Sequence, residues 1–326
     1  MASGARAFVL AAGLGTRLRP LTDTWPKPAA PFLGPPLLRR TFAVLARAGV
    51  GRVALNTHHL PEVMERVARE EGARRGLAVT TVNEPVIQGT GGGLRGLQRA
   101  LPGDDLVIGW NGDILFAPDL GSLLAEHRAS GAAATMVLLP MPPRRGYGVV
   151  EIDAGGRVLR IGRPAPAPLP GCTAWHFSGV HLLSPGVFGV MSAEGPEDIN
   201  HDVYPRLFGA GAVRGIVVNA PWSDLGSAAT YLEAQSDLML GRVPDPLGPE
   251  SPLAGRSEAG ALVEPGARVH PGVDLAPDVY VAAGVEVPAR VQVRRSALLT
   301  GALVVPGETV DSEIRWDGRT LRAQPG

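Results

Sequence analysis

The chain has 326 residues, of which 45% are hydrophobic, and its 31 Lys+Arg balance 31 Asp+Glu to a formal net charge of +0. That length and apolar fraction suit one large domain plus a smaller one, and the balanced charge excludes the broad basic surface of a nucleic-acid or anionic-membrane binder. The single cysteine, Cys172, excludes an internal disulfide and fits a reducing compartment.

In chain order, Phe8 to Ala12 is a short apolar run ended by Gly13, and it reads as a buried strand running into a loop. The run is too short to span a membrane, and the turn after it reads as a strand exit rather than a cleavage site. A soluble, cytoplasmic protein is expected. Leu37 to Gly49 places Leu37, Leu38, Phe42, Leu45 and Ala46 on one helical face. Strand Arg52 to Asn56, helix Pro61 to Glu71, strand Ala78 to Asn83, helix Leu94 to Ala100 and strand Leu106 to Trp110 follow. This alternation predicts an α/β fold with a Rossmann-like, mostly parallel sheet covered by helices on both faces. Ligands bind such sheets beyond the carboxyl ends of the strands, which directs attention to the loops after Leu10, Asn83 and Trp110.

Gly241 to Gly260 is rich in Pro, Gly, Ser and Glu without apolar periodicity and reads as a linker, giving domains 1–240 and 261–326. From Ala261 the text divides into hexads whose third residues are Val263, Val269, Leu275, Val281, Val287, Val293, Leu299 and Val305. Aliphatics at a strict period of six predict a short parallel β-helix, each hexad one flat side and three hexads one coil.

The loop AAGLGTRLRPLTDTWPKP, Ala11 to Pro28, follows the first strand. It is neither a Walker A sequence nor a dinucleotide fingerprint, because no GK[ST] closes it and Leu18 stands where a third glycine belongs. Gly13 and Gly15 allow backbone amides to approach phosphate oxygens, and Arg17 and Arg19 add charge. A glycine turn with solvated arginines is the other reading. Lys27, between two prolines, is the only lysine of the chain. Arginine serves everywhere else, so the exception points to a place where a compact cation is needed and a planar guanidinium does not fit, such as beside a reacting phosphate.

This text resembles the sugar-1-phosphate nucleotidyltransferases, or nucleoside-diphosphate-sugar pyrophosphorylases, whose signature is AGG-x-G-[ST]-R-L-x-P-L-T followed by P-K-P. Here it stands as AAGLGTRLRPLT and PKP, with Ala12 where many members carry Gly. The resemblance implies that a sugar 1-phosphate attacks the α-phosphorus of an NTP and pyrophosphate leaves. It also implies that Ala12, Gly13, Gly15 and Arg17 hold the triphosphate and that Lys27 neutralises charge at the α-phosphate.

Transfer between polyanions calls for Mg²⁺ on a few carboxylates. The candidates are Asp113 in LVIGWNGDILF and Asp224 in PWSDLGSAATYLEA, each of which can also be read as a turn or cap aspartate; both stretches resemble the family's metal-aspartate segments. NEPVIQGTGGGL, Asn83 to Leu94, opens a helix; there the resemblance implies base recognition by Gln88, Gly91 and Gly92. For the sugar half it implies Gly148 in RRGYGVVEID, Ser178 and Gly179 in WHFSGVHLLSP, and Arg163 in IGRP, where most members have E-K-P. Arg163 can replace the lysine as a phosphate ligand, whereas Gly162 cannot replace the glutamate. The histidines lack metal-ligand spacing.

The resemblance spans Arg6 to Leu240, and the hexads resemble the left-handed β-helix that some members append, through which a homo-oligomer would form. Catalytic domain plus β-helix resembles members using GTP and mannose 1-phosphate, while the compact TGGG text resembles members using UTP and N-acetylmuramate 1-phosphate. Two readings of other classes stand beside these. One is a non-catalytic NDP-sugar-binding regulatory paralogue, favoured by Gly162; the other is an acyltransferase using His270 on the solenoid.

Overall fold

The structure is a computed structural model that describes residues 5–142, 147–163, 167–254 and 260–324. Arg144 of the Y-G segment, Pro164 of IGRP and residues 255–259 of the linker stretch lie outside the described residues. The elements run β1 (Ala5–Leu10), α1 (Leu37–Arg47), β2 (Arg52–Thr57), α2 (Pro61–Arg75), β3 (Ala78–Asn83), α3 (Gly89–Ala100), β4 (Leu106–Asn111), β5 (Ile114–Phe116), α4 (Leu120–Ser130), β6 (Ala134–Leu139), β7 (Val149–Asp153), β8 (Val158–Gly162), β9 (Cys172–Leu183), α5 (Pro205–Phe208), β10 (Val213–Val217), β11 (Trp222–Asp224) and α6 (Ala228–Met239), followed by short solenoid strands. Two compact units result. One takes the chain up to Gly13 with Val44–Gly112 and Phe116–Trp222; the other takes Leu14–Ala43, Asp113–Leu115 and the chain from Ser223.

The first unit is built on a sheet of order β10-β6-β9-β4-β1-β2-β3, with the β7-β8 hairpin added on β9. The pairs β1-β2, β2-β3, β1-β4 and β6-β10 are parallel, and β9 lies antiparallel to β4, β6 and β7. The central strands are apolar on both faces, as a sheet covered by helices requires: Phe8, Val9, Val107, Ile108 and Trp110 are all 0% exposed.

Two helices extend beyond their predicted limits for the same reason. α2 was expected to stop at Glu71, before Gly72, but it continues to Arg75 and ends at Gly76, which has φ 65°. Gly72 lies against the Val79 side chain of β3, where a Cβ would collide, so this glycine serves close packing instead of ending the helix. α3 was expected from Leu94, but it starts at Gly89. Its first glycines press on the backbone of Glu197 to Ile199, and a Cβ on Gly91 would sit 3.0 Å from the Glu197 carbonyl oxygen.

In the second unit one apolar core joins Leu21, Phe32, Leu33 and Leu37, the inward face of α6 and the solenoid interior, Val279 to Trp316. Val263 pairs in parallel with Val281, Val269 with Val287 and Leu275 with Val293, so the first coil has 18 residues and the hexad reading holds. The next coil has 17: Val281 faces Leu298 and Val293 faces Val310. Leu299 and Val305 are therefore not in the predicted register, and Val305 is 62% exposed. The slip occurs at the corner after Gln292–Arg294, where Arg295 adopts φ 37° and Ser296 is buried. The solenoid closes with a hairpin, Glu313–Trp316 against Arg319–Arg322, whose two-residue Asp317-Gly318 turn has φ 43° and 70°, the positive values that match the strand twist.

The segment read as a linker contributes to this unit. The Asp245 carboxylate is 4% exposed and takes both the Nε and Nη2 of Arg40 at 3.0 and 2.9 Å, while Arg40 Nη1 donates to the Phe32 carbonyl. Among the described residues no helix is long and apolar enough to cross a membrane.

Candidate active site

In the second unit the loop after Gly13 folds as three short 3-10 turns, Thr16–Leu18, Leu21–Asp23 and Lys27–Ala29. Buried Leu18, Leu21 and Ala29 pin them, and of the polar residues between them Arg19 and Asp23 are exposed while Thr22 is buried. Gly15 must be glycine on two counts. Its φ is 62°, and a Cβ would approach the Thr22 methyl to 2.8 Å; the Thr22 hydroxyl in turn donates to the Gly15 carbonyl.

Besides the local Arg19–Asp23 pair at 3.3 Å, two opposite-charge pairs join the loop to distant segments. Lys27 Nζ lies 2.8 Å from Asp113 Oδ2, and the lysine side chain is only 11% exposed, its reach set by the Pro26 to Pro28 turn. Arg17 Nη2 lies 3.9 Å from Asp224 Oδ2, with the guanidinium largely exposed. The Leu225 amide donates to the Asp113 carbonyl at 3.0 Å, which ties together the segments carrying the two aspartates. Gly226 leaves room for the second pair: a Cβ there would meet Arg17 Nη2 at 2.7 Å and Asp224 Oδ2 at 2.8 Å. The structure thus brings Arg17, Lys27, Asp113 and Asp224 onto one unit.

The donor set suits Mg²⁺. Among the described residues no cluster of three or more His, Cys, Asp or Glu forms a metal cage. Two partly exposed carboxylates beside cations fit an ion that keeps its waters and is completed by substrate phosphates.

In the first unit a buried polar chain underlies the loops after β1, β2 and β3. Asn56 Oδ1 accepts from the Ala11 amide at 2.7 Å, Asn56 Nδ2 donates to Glu84 Oε1 at 2.8 Å, and Glu84 Oε2 accepts from the Gln88 amide at 3.0 Å. Asn56 and Glu84 are missing from the sequence-derived set. Their position at the carboxyl ends of adjacent parallel strands was the available signal. Ala12 is buried, Gly13 is exposed, and a Cβ on Gly13 would meet nothing within 4 Å. Gln88 Nε2 folds back onto the Val86 carbonyl at 2.8 Å. The Gly91 and Gly92 amides donate to the Glu197 carbonyl at 2.8 and 3.1 Å, so both residues are engaged within the protein.

A cavity of about 440 Å³ opens over β7, β8 and β9, and Gly148, Gly162, Arg163, His176 and Asn200 are in its lining. Gly148 and Arg163 therefore meet at one cavity, while a Cβ on Gly162 would point into open space. Ser178 is fully buried; its hydroxyl accepts from the Val180 amide and its carbonyl from the Trp222 indole at 2.7 Å. Gly179, at φ 89°, accommodates the Asn111 side chain, which a Cβ would crowd at 3.0 Å. His270 pairs with Glu286 at 2.7 Å on an exposed face of the solenoid.

The nucleotidyl transferase family profile matches residues 6–240. Among characterised proteins, the chain is 32% identical over 242 residues to a mannose-1-phosphate guanylyltransferase of Mycobacterium tuberculosis, covering 74% of this chain and 66% of that one. It is 30% identical over 242 residues to a UTP–glucose-1-phosphate uridylyltransferase of Synechocystis, covering 70% of this chain and 62% of the relative. The chain thus spans somewhat less than two thirds of these relatives. A crystal structure from Bacillus anthracis, described as a glucose-1-phosphate thymidylyltransferase in complex with a sucrose, superposes with a TM-score of 0.61 at 20% identity, over 71% of this chain and 93% of that one. That likeness is one of fold.

Proposed function

The chain belongs to the nucleotidyl transferase family, and from that premise we propose that it transfers a nucleotidyl group from an NTP to a sugar 1-phosphate, using Mg²⁺. The observation that carries this reading is the placement of Lys27 2.8 Å from Asp113, on the unit that also holds Arg17 beside Asp224. Two cations and two carboxylates are the complement a triphosphate and its metal need.

A phosphate oxygen of the sugar 1-phosphate forms a bond to the α-phosphorus, the bond from that phosphorus to the bridging oxygen breaks, and pyrophosphate leaves with the electron pair. Lys27 holds its ammonium where negative charge gathers on the α-phosphate, and its burial keeps that charge from being screened. Arg17 engages the outer phosphates, helped by the amide of Gly15. Asp113 and Asp224 would hold the Mg²⁺, which when bound neutralises phosphate charge. Asn56 and Glu84 fix the backbone of Ala11 and Gln88, and so the loops that would flank the base. Catalysis on this account is alignment and charge neutralisation, without a covalent enzyme intermediate.

GTP and mannose 1-phosphate are the leading pair, supported by the names of several relatives. A UTP-dependent reaction is the second, supported by the Synechocystis relative. The test is pyrophosphate release with Mg²⁺ across the four NTPs and dTTP, each against mannose, glucose, N-acetylglucosamine and N-acetylmuramate 1-phosphates. Release with one pair establishes the activity and its substrates. Silence throughout, with tight NDP-sugar binding, would replace this reading with the regulatory one.

A further inference from the structure

The cavity over β7, β8 and β9 has apolar walls, among them Met136, Val150, Ile161 and Phe177, and two polar side chains that the protein leaves unused. His176 is 5% exposed; one ring nitrogen faces the Gly148 backbone, and the other has no partner among the described residues. The buried Oδ1 of Asn200 is in the same condition. Buried polar atoms are nearly always partnered, so two without partners at one cavity point to groups supplied from outside the chain.

The imidazole cannot relieve this by turning away. Tyr147 and Trp222 pack edge-on against it, each with its ring centroid 4.6 Å from that of His176. Burial pushes its pKa down to about 4, so at neutral pH the ring is uncharged, with one N–H directed to the Gly148 backbone and one lone pair left over. A pair of hydroxyls satisfies the ring lone pair and the Asn200 oxygen, because a hydroxyl donates. A carboxylate satisfies neither the lone pair nor the Asn200 oxygen, since it only accepts. Gly162 adds no charge to the wall, and the Arg163 guanidinium in the lining is taken by the sugar's own phosphate.

Resting on the sugar-1-phosphate reading above, we infer that His176 and Asn200 determine specificity by hydrogen-bonding ring hydroxyls of the sugar, and that the sugar is uncharged apart from its phosphate. The pocket then favours neutral hexose 1-phosphates over those bearing a carboxylate, such as N-acetylmuramate 1-phosphate.

The experiment is calorimetric titration of the same sugar 1-phosphates into wild-type protein, His176→Phe and Asn200→Ala, with thermal melting of each and pyrophosphate release run in parallel. Phe keeps the slot between Tyr147 and Trp222 filled and removes both nitrogens, and Asn200→Ala is the second route to the same answer. The expected result is binding of a neutral hexose 1-phosphate that weakens on the order of 10-fold or more in each folded variant, with KM for the NTP unchanged. A mono-deoxy analogue lacking the recognised hydroxyl should lose a similar factor on wild type and little further on the variant. Equal binding by wild type and both variants, tighter binding of the carboxylate-bearing sugar, or no sugar 1-phosphate binding to wild type, which would leave ordered water as the partner, overturns the inference. Variant-sensitive binding without pyrophosphate release upholds it while removing the transfer reading, and release with insensitive variants does the reverse.

Discussion

The ammonium of Lys27 and the carboxylate of Asp113 meet at 2.8 Å although 86 residues separate them in the chain, and the lysine is the more buried of the two. A guanidinium at position 27 would have to place a wider, planar group in that slot. Lys27→Arg is expected to lower kcat by on the order of 100-fold with the melting temperature unchanged, as read by single-turnover pyrophosphate release. Wild-type rates in that variant would remove the argument from the chain's only lysine.

Chelation of divalent ions should stop pyrophosphate release, and added Mg²⁺ should restore it. Asp224→Asn should raise the Mg²⁺ concentration needed for half-maximal rate, and Asp113→Asn should cost on the order of 100-fold in kcat, both with native circular dichroism. Activity in either variant that is indifferent to Mg²⁺ would show that these carboxylates are not the metal's ligands.

Gly226 is a sensitive probe of the Arg17 site. An alanine methyl would fall 2.7 Å from Arg17 Nη2 and 2.8 Å from Asp224 Oδ2, and the exposed guanidinium is the group free to yield. Gly226→Ala should therefore raise KM for the NTP roughly 10-fold, the loss of about one charge-assisted contact, while leaving KM for the sugar phosphate close to wild type. Equal rises in both would point to a distorted site rather than a displaced arginine.

The Arg40–Asp245 pair is nearly inaccessible, at 1% and 4% exposure. Asp245→Ala leaves a buried guanidinium without its carboxylate and should cost about 3–5 kcal/mol of unfolding free energy, whereas replacing both residues by apolar ones should cost much less. Denaturant melts of the two variants measure this. An unchanged midpoint for Asp245→Ala would mean that Arg40 finds another partner.

Three histidines make the fold acid-sensitive. Burial lowers the pKa of His127 and His176 to about 4 and of His181 to about 3. In the unfolded chain each titrates near 6.5, so below that pH the unfolded state takes up protons that the folded state refuses. Their contribution to stability should be full above about pH 6.5, fall as pH drops from there, and level off near pH 4 to 3 as the folded groups protonate too. The urea midpoint between pH 8 and pH 4.5 checks the sign, and a His127→Gln variant should show a shallower fall.

The parallel scaffold was legible because β1, β2 and β4 carry compact apolar runs separated by polar helices, and the hexads because their aliphatics keep an uninterrupted period through Val293. What escaped depends on partners distant in the chain. Gly72 and Gly89 look like helix stops, but their glycine is demanded by Val79 and Glu197. The lost residue in the second coil is set by the Arg295 corner, and the repeat in the text continues as though nothing had changed. The lysine and aspartates were singled out through local motifs. Asn56 sits in no motif and His176 sits inside WHFSGVHLLSP without being singled out there, because the significance of each arises from side chains distant in the sequence.

The Trp316 indole of the last solenoid strand donates to the Thr24 hydroxyl, three residues before Lys27, and Leu21 lies in the same core as Val281 and Leu298. In terms of inheritance, the tail and the signature loop form a single unit of exchange. A recombination event that brought in a foreign tail would strip the floor from beneath the lysine turn unless residues 21–37 came with it. Tail and loop must therefore be swapped together or diverge together, even though more than two hundred residues of chain lie between them.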